Sequence, residues 1–331
     1  MKFAETSTVD LDRTFAIILA GGEGVRLRPL TSRIPKPLLP VANVSMIGQI
    51  LHGLQQNGIT RAALATGYKA ELLRETLGET SNGVSLAHVE ENLPLGSGGA
   101  LRNVLDTVRP EAETLWVAGG DILHSVNIAA AIAHHQHSGA LATIITVEVE
   151  DTSGFGICEC DADGRVRRFL EKPPLGETTS RLANSALWIF SPKIRAELPR
   201  GASSLEREVF PRLAARGAVS AFVYDGFWLD CGTPERFIEA NQAALDQRFP
   251  AILKGAVEGT SLIGDNAAIA PDAQILHSVV GTNAQIESGA CVENCIVFDN
   301  ARIESHAHLR NCIVDNETRV ASDTSARDKI F

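Results

Sequence analysis

Nowhere in the 331 residues does an apolar run approach the roughly 20 residues that a membrane span needs. The N-terminus, Met1 to Arg13, mixes polar and acidic residues. It lacks the apolar segment of a secretory signal and reads as a partly ordered tail, with a cytoplasmic location expected. The six cysteines form no Cys-x-x-Cys pair. Cys158 and Cys160 lie two apart and share one strand face, which does not by itself suit a tetrahedral zinc site. Buried thiols in reducing surroundings are the expectation. A basic excess is also missing. The net charge of −10 argues against a general nucleic-acid or membrane-surface binder. The glycine cluster Gly21-Gly-Glu-Gly24 is not followed by the Gly-Lys-Ser/Thr of a Walker loop. Leu27 occupies the place of the third glycine of a dinucleotide fingerprint.

What is present begins with that same stretch. The apolar run Phe15 to Ala20 ends abruptly in glycines and then in basic residues. This predicts a buried parallel strand opening into a backbone-rich anion site, with Arg26 and Lys36 able to supply charge. Between Gly24 and Lys69 stand six Lys/Arg and no Asp or Glu, which points to an anionic ligand. Further along, apolar periodicity alternates strands (Ala62–Ala65, Val84–Val89, Leu115–Ala118, Leu141–Val149, Ala186–Phe190, Ala218–Tyr224) with helices (Met46–Leu54, Lys69–Leu77, Asn127–His137, Leu205–Ala215, Pro234–Gln247). A hairpin turns at Asp161-Ala-Asp-Gly164. The pattern predicts an α/β fold with a doubly wound, mostly parallel, Rossmann-like sheet. Corners at Gly21, Gly96 and Asp121 all follow strands, so they fall on the carboxyl rim where such sheets bind ligands. His134, His135 and His137 lack an i, i+4 pair and read as a solvated helix face.

From Ile263 onward the composition changes. Ala267, Ala273, Ala284, Ala290, Ala301, Ala307 and Thr318 are spaced alternately 6 and 11 apart, each two residues before a branched apolar one. The repeat unit is 17 residues, and Val280, Val297 and Val314 obey it. Small residues turning corners and branched residues filling a core predict a triangular β-helix of about four coils.

The residues Gly21-Gly-Glu-Gly-Val-Arg-Leu-Arg-Pro-Leu-Thr31 with Pro35-Lys-Pro37 resemble the signature of the sugar-1-phosphate nucleotidyltransferases, the nucleotide-sugar pyrophosphorylases, with the pattern nearest to GDP-mannose pyrophosphorylases. The C-terminal repeat is similar to the left-handed hexapeptide β-helix of many such proteins. The resemblance implies a tail 1–13, a catalytic domain 14–250 and a β-helix domain 251–331. It implies an enzyme that joins an NTP and a sugar 1-phosphate into an NDP-sugar and pyrophosphate, in a homo-oligomer (dimer or tetramer) without nucleic-acid or membrane partners. Arg26 and Lys36 match the residues that grip the triphosphate. Asp121 and Asp230, the latter in Trp228-Leu-Asp-Cys-Gly-Thr-Pro234, match the two carboxylates that hold Mg²⁺, the implied cofactor. Lys172 matches the lysine on the acceptor phosphate, with Glu171 and Asn184 at the sugar; Ala186 stands where relatives carry glycine. Glu206 either approaches the sugar or forms a solvated helix start. Nucleotide-binding roles fall to Leu19, Ala20, Gly21, Gly22, Gly24, Glu90, Gly96, Ser97 and Gly119. The corner Leu95-Gly-Ser-Gly-Gly-Ala-Leu101 resembles that of guanylyl- and some uridylyltransferases and favours GTP. UTP, dTTP, CTP or ATP with a glucose-, heptose- or cyclitol-type phosphate is the alternative, as is a catalytically silent nucleotide-sugar-binding homologue. His306 and His308 lie in the repeat, where a structural role is expected instead of an acyltransferase base.

Overall fold

The computed structural model describes residues 10–331; residues 1–9 of the expected tail lie outside the described residues. In chain order the main elements are β1 (Thr14–Ala20), α1 (Met46–Gln56), β2 (Arg61–Thr66), α2 (Ala70–Leu77), β3 (Val84–Glu90), α3 (Gly96–Thr107), β4 (Thr114–Gly119), α4 (Ile128–Ser138), β5 (Ala142–Glu148), β6 (Gly156–Cys160), β7 (Val166–Glu171), β8 (Leu182–Phe190), α5 (Phe210–Ala215), β9 (Val219–Tyr224) and α6 (Pro234–Leu245). Short strands of a β-helix follow, from Ala256–Glu258 to Ser325–Arg327. Among the described residues no helix is long and apolar enough to cross a membrane. By contacts the described residues form two compact units: 10–22 with Gly53–Trp228, and Glu23–His52 with Leu229–Phe331.

The first unit is built on one mixed sheet. β1 runs parallel to β2 and to β4, and β2 parallel to β3. Side chains of β1 and β4 are buried almost throughout, as both faces of a parallel sheet are covered. β8 enters antiparallel to β4, β5 and β6, and β5 runs parallel to β9. The antiparallel hairpin β6–β7 completes the edge. One core cluster joins Phe15, Ile17, Leu101, Val117, Trp188 and Phe210, and the Phe190 and Phe210 rings stack at 6.1 Å. The parallel registers put the carboxyl ends of β1, β3 and β4 on one edge, so Gly21, Gly96 and Asp121 share the predicted rim.

Three local expectations are corrected. β8 begins at Leu182, four residues before the apolar run, because a bulge between Asn184 and Trp188 interrupts its pattern. The helix expected over Leu205–Ala215 splits into a wide turn, Leu205–Val209, and then α5, with Pro211 in the first turn of α5, where no amide donor is needed. Of the α4 histidines His137 is exposed, but the other two are not part of a solvated face. His135 is buried and its Nδ1 pairs with Thr143 Oγ1 at 2.8 Å, while His134 Nε2 pairs with Ser220 Oγ at 2.8 Å. Burial pushes the His135 pKa down to about 4.

In the second unit the β-helix has four rungs in 17-residue register, Leu262↔Val279↔Ile296↔Ile313 among them. Ala284, Ala290, Ala301 and Ala307 are wholly buried at the corners, and Ile286, Ile303, Val297 and Val314 fill the core. Columns of left-handed residues turn the coils: Asn266, Asn283, Asn300 and Glu317, then His277, Asn294, Asn311 and Asp328. Asparagine and aspartate tolerate that conformation better than other residues that carry a Cβ. Buried amides bind the segment around Lys36 to this unit. Gln49 Nε2 donates to Val41 O and Ile252 O, and its Oε1 accepts Ile252 N–H at 2.8 Å. Asn43 Nδ2 donates to Lys254 O and Val280 O. Asn241 Oδ1 accepts Ala42 N–H at 2.8 Å.

Candidate active site

In the second unit the signature loop leaves Gly24 in the left-handed region, φ +63°. A Cβ there would stand 3.0 Å from Thr31 Cγ2 and 3.1 Å from Lys36 Cβ, so glycine is required by both conformation and space. Lys36 is buried between Pro35 and Pro37, with Nζ 3.9 Å from Asp230 Oδ1. Arg26 is exposed, and its guanidinium reaches Gly232: a Cβ on Gly232 would fall 2.5 Å from Arg26 Nη2 and 2.9 Å from Asp230 Oδ1. Glycine in Asp230-Cys-Gly-Thr-Pro therefore lets an arginine and an aspartate close on the same backbone. Thr233 then caps α6 through Arg236 N–H, with Pro234 in the first turn. Arg26, Lys36 and Asp230, read separately from the sequence, are thus gathered in one place.

The first unit holds the remaining candidates. Gly120 N–H donates to Leu19 O at 2.9 Å, which ties the end of β4 to the end of β1. Asp121 turns its carboxylate over Gly119, with Oδ1 2.9 Å from where a Cβ would stand. A hard carboxylate donor suits Mg²⁺. Asp230 offers the same donor chemistry. Gly21, Gly22 and Glu90 lie on the rim, and Glu90 is exposed.

The neighbour of Glu90 is the residue that sequence reasoning missed. Glu91 Oε2 accepts Leu95 N–H at 3.0 Å at the start of α3, and Oε1 lies 3.6 Å from the Cβ position of Gly21. Its carboxyl pKa is raised by burial, against the lowering by the Leu95 amide. The alternation of β3 gave no signal for it: Val84 and Leu86 are buried on one parity and Val89 on the other, the parity of Glu91.

At the acceptor candidates, Glu171 lies opposite Gly156 in the hairpin, and a Cβ on Gly156 would stand 3.0 Å from Glu171 Oε2. Burial and the nearby Glu206 push the Glu171 carboxyl up, while Lys172 and Arg207 pull it down. Lys172 is exposed, in the left-handed region, with its amide donating to Phe155 O at 3.0 Å. Asn184 braces the β8 bulge: its Oδ1 accepts Ala186 N–H at 3.1 Å and Trp188 Nε1–H at 2.8 Å. Ser97 and Glu206 are hydrogen-bonded to each other at 2.6 Å. Ala186 has φ +57°, which explains why a glycine would sit there. Ala186→Gly should raise stability by about 1 kcal/mol by removing left-handed strain. Urea unfolding measures this; a loss of stability would mean that packing of the methyl group outweighs the strain.

Comparison with known proteins gives the family. A nucleotidyl transferase family model matches residues 15–247, and a GlmU-like C-terminal hexapeptide model matches residues 254–326. The chain belongs to the nucleotidyl transferase family. Similar proteins include a mannose-1-phosphate guanylyltransferase of Mycobacterium tuberculosis, 34% identical over 79% of this chain and 73% of the relative. A probable mannose-1-phosphate guanylyltransferase 1 of Oryza sativa subsp. japonica is 33% identical over 78% and 75%. A mannose-1-phosphate guanyltransferase beta-B of Xenopus laevis is 33% identical over 67% and 62%. The chain is an enzyme of nucleotide-sugar biosynthesis, and its doubly wound α/β portion followed by a hexapeptide-repeat β-helix is the architecture that its sequence predicts.

Proposed function

We propose that this enzyme transfers a guanylyl group from GTP to mannose 1-phosphate, giving GDP-mannose and pyrophosphate. The observation that carries the base assignment is Glu91. Guanine presents two adjacent N–H donors on one edge, and a half-buried carboxylate beside the glycine corner offers two acceptor oxygens. The sugar assignment rests on the names of the relatives.

In the proposed reaction an oxygen of the acceptor phosphate attacks the α-phosphorus in line. The bond from that phosphorus to the β-phosphate bridging oxygen breaks, and pyrophosphate departs. No protein nucleophile is needed, so the side chains act by positioning and by neutralising charge. Arg26 and Lys36 take up charge on the triphosphate and the departing pyrophosphate. Lys172 orients the acceptor phosphate, and Glu171 and Asn184 address the sugar. Asp121 and Asp230 would hold Mg²⁺, which draws electron density from the phosphates when bound. Residues 14–250 form the catalytic portion and 251–331 the β-helix in this reading. A cytoplasmic homo-oligomer is part of the same proposal, supported by composition and family. Formation of GDP-mannose from GTP, mannose 1-phosphate and Mg²⁺, followed by mass spectrometry, tests it. Product that disappears with EDTA supports it; no product at any metal concentration overturns it.

A further inference from the structure

Ser97 opens α3 at the glycine-rich corner, where its resemblance to nucleotide-binding corners suggests contact with the base. Its hydroxyl is engaged elsewhere. It donates to Glu206 Oε2 at 2.6 Å and accepts Leu205 N–H at 2.9 Å. A hydroxyl has one proton to give, and this one is given to a carboxylate. Ser204 Oγ donates to the same Oε2 at 2.8 Å. Around this centre α3 is joined to residues 201–206 by its backbone. Gly98 and Gly99 donate to Ser203 O at 2.9 and 3.2 Å, and Ser203 N–H returns to Leu95 O at 2.8 Å. The glycines at 96, 98 and 99 serve this approach: added Cβ atoms would stand 2.6 Å from Ser203 O, 2.7 Å from Ser203 Oγ and 2.5 Å from Gly201 O. The corner is therefore filled by this chain's own backbone, and Ser97 is bonded to Glu206, a carboxylate whose charge helps push the Glu171 carboxyl up.

We propose that Ser97 is a positioning residue for the acceptor: it holds Glu206 beside Glu171, and the two carboxylates accept hydroxyl hydrogens of the sugar ring. The assignment rests on the sugar-phosphate reading above and deepens it. Two acceptor-only groups fit a neutral polyhydroxylated ring and repel one that carries its own carboxylate. The ligand class at this end is thus a neutral hexose phosphate, not a uronic acid phosphate. The link from α3 to Glu206 runs through the Ser97 hydroxyl, so threonine preserves it, whereas alanine leaves Glu206 Oε2 only the bond from Ser204.

The test is steady-state kinetics of the full chain with GTP, Mg²⁺ and mannose 1-phosphate, in the parent, Ser97→Ala, Ser97→Thr and Glu206→Gln. Ser97→Ala should raise KM for mannose 1-phosphate about tenfold, the scale of losing one hydrogen bond to a charged group, and leave KM for GTP within about twofold. Ser97→Thr should restore the parent value. Glu206→Gln should raise the same KM, and the double variant Ser97→Ala with Glu206→Gln should be no worse than Glu206→Gln alone, as expected of coupled residues. A rise in KM for GTP in Ser97→Ala, or additive effects in the double variant, would overturn the positioning role. A parent enzyme that turns over no substrate pair would instead strike the functional reading beneath it.

Discussion

Asp230→Asn should lower kcat by about 10²–10³-fold, the scale of removing one charge-stabilising group from a transition state, while the melting temperature changes little. The substitution keeps the shape of the side chain and removes its charge. The strand that carries residue 230 is anchored upstream: Trp228 Nε1 donates to Ser185 O at 2.8 Å, and its ring packs edge-on against Phe155 at 6.0 Å. Those contacts survive the change, so the backbone has no reason to move. Two roles of the carboxylate would be lost together, the proposed donor oxygen for a divalent cation and the partner 3.9 Å from Lys36 Nζ. Raising the Mg²⁺ concentration should recover part of the loss if the metal site is weakened. Activity near that of the parent at ordinary Mg²⁺ would refute the assignment of Asp230.

Glu91→Gln carries the second large effect, and it is selective. A glutamine offers one acceptor oxygen where the glutamate offers two, and its amide faces guanine's donors with donors of its own. The variant should lose about 10–100-fold in kcat/KM with GTP, corresponding to about 1–3 kcal/mol for a bidentate base contact. Its kcat/KM with UTP should hardly change, so discrimination between the two bases narrows. The link from Glu91 to the start of α3 persists in the variant, since the amide oxygen still accepts from Leu95 N–H; this separates base reading from support of the helix. An equal fall with GTP and UTP would assign Glu91 to the scaffold alone.

Most of the fold was legible because it follows from local rules. Period-two and helical patterns located the sheet and its helices, and the 17-residue repeat with alanines at its corners defined the β-helix before any coordinates. Site residues on sharp motifs were legible for the same reason: Gly24, Lys36 and Gly232 are fixed by backbone demands that leave a mark in sequence. What was hidden depends on contacts between distant segments. The amide of Gln49 meets Ile252, 203 positions away, and Asn241 meets Ala42, 199 positions away. No local pattern announces such pairs. The bonding of Ser97 to Glu206 across 109 positions is of the same kind. The glycines around Ser97 looked like space for a ligand, yet Gly98 and Gly99 make room for the chain itself. At Glu91 the alternation of β3 gave no guide, because Val84 and Leu86 are buried on one parity and Val89 on the other, so it did not tell which of two adjacent glutamates turns inward. For the α4 histidines, spacing excluded a metal pair but could not reveal the Thr143 and Ser220 hydroxyls that draw two of them onto the sheet.

The central claim is that this chain couples GTP to a mannose-type 1-phosphate. The most direct measurement is the initial rate of pyrophosphate release across GTP, UTP, dTTP, CTP and ATP, each paired with the 1-phosphates of mannose, glucose, a heptose and a cyclitol in Mg²⁺. GTP with mannose 1-phosphate should give the highest kcat/KM of the matrix. A higher value for any other nucleotide, or release from no pair at all, would contradict it.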